Sequence, residues 1–266
     1  MRIVIDLQGA QSLGNRNRGI GRYSLHFAQA LARNVSGHDI FIALNAAFAD
    51  TVEPIRAAFD GLLPQERIVV WEVPGPVAYI DPANTQRRQV AERVRETFLA
   101  SLRPDWVLVS SLFEGIGDDV VTSIGRQVQL PTAVVLYDLI PWIYSERYLK
   151  NNHPAFEPWY LEKIDHLRRA TLLLSISESS GREPVDYLGF DPTTVVSIGT
   201  DCDARFRPIQ LSGAQQAHLR TAYGIKRAFI LYTGGIDHRK NIEGLIRAYA
   251  TLPQSIRNAH QLAVVC

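Results

Sequence analysis

The chain is poor in cysteine: its 266 residues include two, Cys202 and Cys266. Neither lies at the spacing of a CxxC or Cys/His metal motif. This scarcity argues against a disulfide framework and against a structural zinc site. We therefore expect a protein of the reducing cytoplasm.

The sequence also lacks a dominant charge and a long apolar run. It has 28 Lys and Arg against 27 Asp and Glu, which argues against a general attraction to nucleic acid. No uncharged apolar stretch reaches the roughly 18 to 20 residues of a membrane span, and the opening MRIVIDLQGA has no signal-peptide core. We expect no nucleic-acid partner and, at most, peripheral contact with the inner face of the membrane.

What the sequence contains is a series of short, β-rich apolar runs separated by segments with helical spacing. Runs such as TAVVLY and TLLLSI are continuously apolar, as expected of strands covered by helices on both faces. The pattern predicts an α/β fold with a doubly wound, Rossmann-like parallel sheet. The predicted strands are 2–7, 40–44, 68–73, 106–110, 132–137, 171–176 and 194–198, and the predicted helices are 23–33, 82–101, 156–169, 179–188, 214–223 and 242–250.

A second domain of the same kind begins near residue 228 with AFILYTGGIDHRKN. The predicted division is an amino-terminal domain over 1–205, a linker over 206–227 and the first strand-helix-strand of a second Rossmann-like domain over 228–266. A complete parallel half usually needs roughly a hundred residues or more. We therefore expect the second domain to be truncated here, with functions that need it impaired.

Glycine and arginine recur in the loop after the first strand, residues 11–22, which reads QSLGNRNRGIGR. Glycine lets backbone N–H groups approach a ligand, and the start of the following helix favours anions. The candidates for a phosphate-binding lip are Gly19, Gly21, Arg22, Arg16 and Arg18. The match to a dinucleotide fingerprint is partial, because Ser24 replaces its third glycine. A plain flexible loop is the alternative.

Aromatic residues surround a carboxylate in YDLIPWIYSERYL, which follows a predicted strand. Open parallel sheets bind ligands at the carboxyl ends of their strands. Asp138 can accept hydrogen bonds from sugar hydroxyls there, and the rings of Tyr137, Trp142 and Tyr144 can pack on sugar faces. The alternative is that Asp138 caps a turn before Pro141 and that the rings belong to the core.

Serine and glutamate residues follow the next strand, in TLLLSISESSGREPVDYLG. Ser180 and Glu183 match a capping box, so we expect them to cap a helix. Ser177 and Glu178 are candidates for sugar or acceptor binding, with no local motif to decide their role.

A second glycine turn, GGIDHRKN, joins the strand near residue 228 to a helix. Backbone N–H groups at Gly234 and Gly235, with Arg239 and Lys240 at the helix entrance, can hold a diphosphate. The alternative is a turn with solvated basic residues. The turn does not match a P-loop, so ATP hydrolysis is not predicted.

Together these segments resemble the family-4 glycosyltransferases of the GT-B fold, especially the bacterial mannosyltransferase-like members that build lipopolysaccharide O-antigen and other surface polysaccharides. The matching stretches are GIGRYSLHFAQAL, YDLIPWIYSERY, FEPWYLEKIDHLRRATLLLSISESSGREPVDYLG, VVSIGTDCDARFRP and ILYTGGIDHRKNIEGLIRAY. They cover nearly the whole chain, but only the amino-terminal domain and the opening of the carboxy-terminal domain of such an enzyme.

The resemblance implies retaining sugar transfer, with GDP-mannose the favoured donor, to a saccharide or lipid-linked acceptor, without a metal or cofactor. Gly19 and Gly21 would face the donor. Asp138 would contact the transferred sugar or acceptor as the catalytic residue. Arg239 and Lys240 would neutralise the diphosphate leaving group.

This sequence departs from the family pattern, and the departures limit which residue roles can be assigned to it. Tyr137 stands where many members have His, and Gly235 where many have Arg, so Arg239 would have to supply the missing cation. The E-x7-E element of the family would lie beyond Cys266. An alternative therefore stays open, a non-catalytic saccharide-binding or interaction module that pairs with a separate donor-binding chain. We also expect that exposed strand edges of the truncated domain can form oligomers. A nicotinamide-dependent oxidoreductase is disfavoured, because no acidic residue ends the second strand, which runs into Asn45.

Overall fold

The structure, a computed structural model, describes residues 1–202 and 206–266. It divides into two compact units, Met1–Asp201 and Cys202–Cys266. The predicted end of the first domain, residue 205, lies outside the described residues.

The first unit is built on a parallel sheet of seven strands in the order β3-β2-β1-β4-β5-β6-β7. The order reverses direction between β1 and its neighbour β4, which makes this pair the switch point of a doubly wound sheet. The predicted Rossmann-like fold is therefore confirmed. The strands are β1 Arg2–Asp6, β2 Asp39–Asn45, β3 Ile68–Trp71, β4 Trp106–Val109, β5 Thr132–Leu136, β6 Leu172–Ser175 and β7 Val195–Ser197.

Each predicted helix of this unit is present, with one boundary that matters for the site. The helix predicted to begin at residue 23 begins at Gly19, so the glycine pair lies in its first turn instead of in a loop. The helix Ala49–Ala58 was not predicted, because its sequence ADTVEPIRAA contains Pro54. The helices are α1 Gly19–Asn34, α2 Ala49–Ala58, α3 Thr85–Ser101, α4 Ile140–Ile143, α5 Ser145–Tyr148, α6 Phe156–Leu167 and α7 Glu178–Leu188.

Apolar side chains cover both faces of the sheet. Along β5, Val134 and Leu136 belong to one buried cluster, whereas Ala133 and Val135 belong to another. Alternate residues of a strand point to opposite faces, so the two clusters lie on opposite sides of the sheet. This double burial explains why the central strands read as unbroken apolar runs.

The buried face of α3 contains charged residues beside the apolar Ala91 and Leu99. Glu92, Arg95 and Glu96 are each almost fully buried. Arg95 forms an ion pair with Asp6 at the end of β1, with Nε 2.7 Å from Oδ2, and donates from Nη1 to the Ser123 carbonyl at 2.8 Å. A buried charge needs such partners to offset the cost of its desolvation, so α3 is held by specific polar contacts.

The second unit contains one parallel strand pair. Strand β8, Ala228–Thr233, pairs with β9, His260–Val265. Helix α9, Ile242–Thr251, and the short helix α10, Gln254–Ala259, connect them, and α8, Gly213–Ala222, precedes them. Helix α8 falls within the predicted linker. Among the residues described in both units, no helix is long and apolar enough to cross a membrane.

Replacement of Arg95 by Met leaves Asp6 buried without its partner, and we expect a loss of about 3–5 kcal/mol in the free energy of unfolding. All four tryptophans, at positions 71, 106, 142 and 159, lie in the first unit, so their fluorescence during urea unfolding reports that unit alone. The matched control is Arg93→Met on the exposed side of the same helix, expected to change stability by less than about 0.5 kcal/mol. Equal effects of the two variants would contradict a dominant role for the ion pair.

Candidate functional site

The residues proposed from the sequence for the first unit gather at the carboxyl edge of its sheet. The loops after β1, β4, β5 and β6 all leave the sheet there, because every strand is parallel. The β1 and β4 loops lie on either side of the switch point. This edge is the place where an open α/β sheet binds ligands.

The loop after β1 folds back on the start of α1. The Asn15 carbonyl accepts the backbone N–H groups of Arg18 at 2.7 Å and Gly21 at 3.2 Å. A Cβ on Gly21 would lie 2.4 Å from that carbonyl oxygen, whereas a Cβ on Gly19 would have nothing within 4 Å. Glycine is thus required at position 21, because the Asn15 carbonyl leaves no room for a side chain. Gly19 leaves open space above the first turn.

The charges near this turn suit an anion. The first turn of α1 has no acidic residue, and Arg22 is exposed. The positive end of the helix dipole therefore meets no competing carboxylate from its own first turn. Arg16, also proposed for the lip, is instead ion-paired with Asp50 at 2.6 Å.

Tyr137 connects β5 to α1. Its hydroxyl lies 3.1 Å from Ser24 Oγ, and within hydrogen-bond distance of the carbonyls of Ile20 at 3.3 Å and Ser110 at 3.2 Å. Burial raises the pKa of this hydroxyl well above its ordinary value. The hydroxyl is thus engaged inside the protein, and any sugar contact by Tyr137 would have to come from its ring.

Asp138 caps a turn, as the alternative interpretation proposed. Its Oδ1 accepts the N–H of Ile140 at 3.1 Å. The next N–H in the chain, that of Leu139, donates to Glu183 Oε2 at 2.6 Å. Burial, and the nearby Asp138 carboxylate, raise the pKa of Glu183. Two carboxylates therefore flank the turn after β5.

The aromatic residues after this turn divide in two. Trp142 is partly buried and packs against the core, as the alternative interpretation expected. Tyr144 is 60% exposed. Of the two, Tyr144 is the side chain open to a ligand.

The predicted capping box at the start of α7 was wrong in its residues. Ser177 is the N-cap: its Oγ accepts the N–H of Ser180, and Ser180 Oγ accepts the N–H of Ser177, both at 3.1 Å. Glu183 instead reaches Leu139, a residue far away in sequence. Ser180 can replace glutamate in the box because its hydroxyl also accepts a hydrogen bond. Glu178 is exposed in the first turn of α7.

A buried carboxylate at the switch point was not predicted. Glu114, in the loop after β4, is 4% exposed. It lies within hydrogen-bond distance of Ser12, Ser111 and Asn15. Burial is the main cause that raises its pKa to about 7, and the nearby Asp118 adds to the shift. The run SSLFEGIGDD directly after a buried strand was the available signal.

The turn at the start of the second unit's βαβ segment also has a carboxylate in it. Asp237 Oδ1 accepts the N–H of Arg239 at 2.8 Å and lies 2.9 Å from its guanidinium Nε. Asn241, with φ of 48°, then caps α9 by accepting the N–H of Gly244 at 3.2 Å. Gly234, Gly235 and Lys240 are exposed. Asp237 therefore offsets part of the positive charge that the sequence predicted here.

One group of side chains has the composition of a metal site. Atoms of Glu92, Glu162 and His166 lie within 4.8 Å of one another. Both carboxylates are already bound by Arg88, at 3.2 and 2.7 Å, and by Arg126, at 3.1 and 3.0 Å. A cation would have to displace two guanidinium groups, so these residues fit an ion-pair network better than a metal centre.

Comparisons with known proteins show that the chain is similar to part of several sugar-transferring enzymes. It is 32% identical over 266 residues to the serotype-specific mannosyltransferase WbdA of Escherichia coli, covering 99% of this chain and 31% of that protein. It is 30% identical over 113 residues to O-antigen chain mannosyltransferase B of Escherichia coli, covering 41% of this chain and 29% of that protein. The chain is a homologue of bacterial mannosyltransferases. It spans about a third of the length of these relatives.

Solved structures agree on the fold of this mannosyltransferase homologue. Anabaena Alr3699/HepE, solved in complex with UDP and glucose, matches with a TM-score of 0.55 and 17% identity, over 99% of this chain and 60% of that one. Sucrose-phosphate synthase from Thermosynechococcus elongatus matches with a TM-score of 0.54 and 15% identity, over 99% and 61%. The resemblance to mannosyltransferase-like glycosyltransferases of the GT-B fold is confirmed. No family model matches the chain.

The two glycines of α1 provide a direct test of the loop geometry. We expect Gly21→Ala to lower the free energy of unfolding of the first unit by about 1–3 kcal/mol, because the new methyl group would clash with the Asn15 carbonyl. We expect Gly19→Ala to be neutral or to stabilise by up to about 1 kcal/mol. Tryptophan fluorescence in urea measures both. Similar losses in the two variants would contradict the close approach at Gly21.

Proposed function

We propose that this chain takes part in retaining transfer of mannose from a nucleotide-diphosphate sugar, GDP-mannose in the first place, to a saccharide or lipid-linked saccharide. Sequence identity to mannosyltransferases along nearly the entire chain carries the proposal. The placement of the predicted residues at the ligand-binding edge of the sheet supports it. We propose that this transfer serves the synthesis of O-antigen or another surface polysaccharide at the cytoplasmic face of the membrane.

The first unit would hold the acceptor and the transferred sugar. Asp138 is partly exposed, and its carboxylate can accept a sugar hydroxyl while Oδ1 keeps its bond to Ile140. The ring of Tyr144 offers an apolar face to the sugar. Ser177 and Glu178, at the exposed start of α7, are the further candidates. Glu183 would act through the turn, by fixing the backbone beside Asp138.

Each unit, taken by itself, carries groups that can bind a phosphate. In the second unit, Arg239 and Lys240 follow the exposed glycines of the turn, and Asp237 orients the Arg239 guanidinium. The first unit has a separate candidate phosphate site, where the first turn of α1 presents backbone N–H groups beside Gly19 and the exposed Arg22. Charge that develops on the leaving diphosphate would be stabilised by such donors, each contact contributing about 3–4 kcal/mol when well placed. No metal ion is needed for this role.

We further infer that the chain by itself binds substrates more readily than it turns them over. The chain spans about a third of the length of the relatives that it matches. Binding is therefore the better first readout.

Calorimetric titration with GDP, UDP, GDP-mannose and UDP-glucose tests the donor side. We expect saturable binding of the guanine nucleotides and at least about tenfold weaker binding in an Arg239→Ala, Lys240→Ala double variant, because two charge-assisted contacts are lost. Arg247→Ala is the matched control, since Arg247 is an exposed arginine of α9 paired with Glu243. Unchanged binding in the double variant, or an equal loss in the control, would contradict the proposed diphosphate site.

The acceptor side is tested with an α-linked mannobiose observed by saturation-transfer NMR. Asp138→Asn keeps the amide oxygen that accepts the Ile140 N–H but removes the charge, so we expect the turn to survive and mannobiose affinity to fall by about tenfold. Asp186→Asn, an exposed carboxylate of α7, is the control. Full affinity in Asp138→Asn would remove Asp138 from the site, and absence of binding to the unaltered chain would count against the acceptor role.

A further inference from the structure

We propose that Glu114 is a neutral, protonated carboxyl group in the native protein at pH 6, and that it positions the loop after β1 by donating a hydrogen bond to Ser12. This makes Glu114 a positioning residue for the α1 turn. The consequence for ligand binding rests on the proposed function, whereas the protonation state does not depend on that function.

The argument starts from a count of hydrogens. Ser12 Oγ lies 2.8 Å from Glu114 Oε2 and 3.0 Å from Asp118 Oδ2. A hydroxyl carries a single hydrogen and can donate it to one of these oxygens. The other contact would place two acceptors together unless one of the carboxyl groups is protonated.

The remaining contacts indicate which carboxyl group holds the proton. Asp118 Oδ2 also accepts the N–H of Leu13 at 2.9 Å, and Oδ1 accepts the N–H of Val120 at 3.3 Å. Both oxygens of Asp118 are thus occupied as acceptors of backbone N–H groups. Glu114 Oε2 has Ser12 as its neighbour in this network. A proton on Oε2 completes a relay in which Glu114 donates to Ser12 and Ser12 donates to Asp118.

The other oxygen of Glu114 fits the same arrangement. Glu114 Oε1 accepts from Ser111 Oγ at 2.9 Å and from Asn15 Nδ2 at 2.7 Å. A protonated carboxyl group supplies one donor and still accepts on its second oxygen. Every contact of Glu114 then joins one donor to one acceptor.

Charged and titratable neighbours favour the neutral form. Asp118 faces Glu114 from the same loop, and the Tyr137 hydroxyl faces it from the end of β5. Neither supplies a positive charge. In the opposing loop, Arg16 is ion-paired with Asp50 and Arg18 is exposed. Burial is the largest cause that raises the pKa of Glu114 to about 7, and the nearby Asp118 adds to it.

The network reaches the start of α1 through Asn15. The side chain of Asn15 is held by Glu114, and its carbonyl accepts the N–H groups of Arg18 and Gly21. Glu114 therefore fixes the backbone that carries the first turn of the helix. A neutral carboxyl group does so without adding negative charge beside a turn that we propose to face a diphosphate.

The protonation state is measured by NMR titration of the side-chain carboxyl carbon of Glu114 in 13C-labelled protein. Loss of the signal in Glu114→Gln, or backbone-linked assignment if that variant does not fold, identifies the resonance. We expect a midpoint near pH 7. A midpoint near the ordinary value of about 4.3 would overturn the proposal.

The positioning role is measured by hydrogen exchange of the amides of residues 13–22. Gln can donate from its amide nitrogen to Ser12 and accept on its oxygen from Ser111 and Asn15, so Glu114→Gln should keep wild-type protection at pH 6. Glu114→Ala and Ser12→Ala remove a link of the relay and should raise exchange by about tenfold or more. Equal loss of protection in the Gln and Ala variants would show that the charged carboxylate is the form required.

The consequence for the proposed site is measured by the affinity for GDP-mannose at pH 6 and pH 8.5. We expect affinity to fall with pH more steeply in the wild type than in Glu114→Gln, which cannot acquire the charge. The same pH dependence in both proteins would overturn the effect on the anion site. Failure of every variant to bind would refute the proposed function, and the NMR titration would still decide the protonation state.

Discussion

The buried ion pair between Asp6 and Arg95 is the interaction on which the ligand-binding edge of the first unit depends. Asp6 ends β1, and its backbone carbonyl also accepts the N–H and hydroxyl of Ser110 at the end of β4. Gln8 contacts the same carboxylate and donates to the Val121 carbonyl at 2.6 Å. One charged pair thus joins the two strands of the switch point, the loops that follow them and helix α3.

Burial of a polar centre of this kind costs desolvation free energy, and its contribution to the structure is a fixed geometry. Apolar side chains would cover α3 with less desolvation, but they would not determine the direction in which the loops leave the sheet. Hydrogen bonds have preferred directions and distances. The loops after β1 and β4 are therefore set by polar contacts, while the sheet behind them is stabilised by non-directional apolar packing.

The same division explains why features that look alike in sequence have different physical reasons. Gly21 is needed because a carbonyl of its own loop lies where a side chain would be, whereas Gly19 faces open space. Arg16 and Arg22 belong to one basic stretch, yet Arg16 is paired with Asp50 and Arg22 is exposed. In the second unit, the Arg239 guanidinium contacts Asp237. Each of these two turns, one in each unit, is accordingly less basic than its composition indicates.

The sequence by itself determined the fold class, the strands and the edge at which the candidate residues gather. These follow from local periodicity and from the rule that parallel strands end at one edge. Strands β5 and β6 could be predicted because both of their faces are apolar. The similarity to mannosyltransferases was likewise visible in the order of short motifs.

Tertiary structure alone decided the partners of the polar side chains. Glu183 binds Leu139 instead of capping its own helix, the Tyr137 hydroxyl is engaged with α1, and Glu114 contacts a loop about a hundred residues away in sequence. Local sequence can favour a cap or a turn, because those contacts involve near neighbours. It does not encode which distant backbone group is brought within 3 Å, since that depends on how the strands are ordered in the sheet and how the helices pack against it.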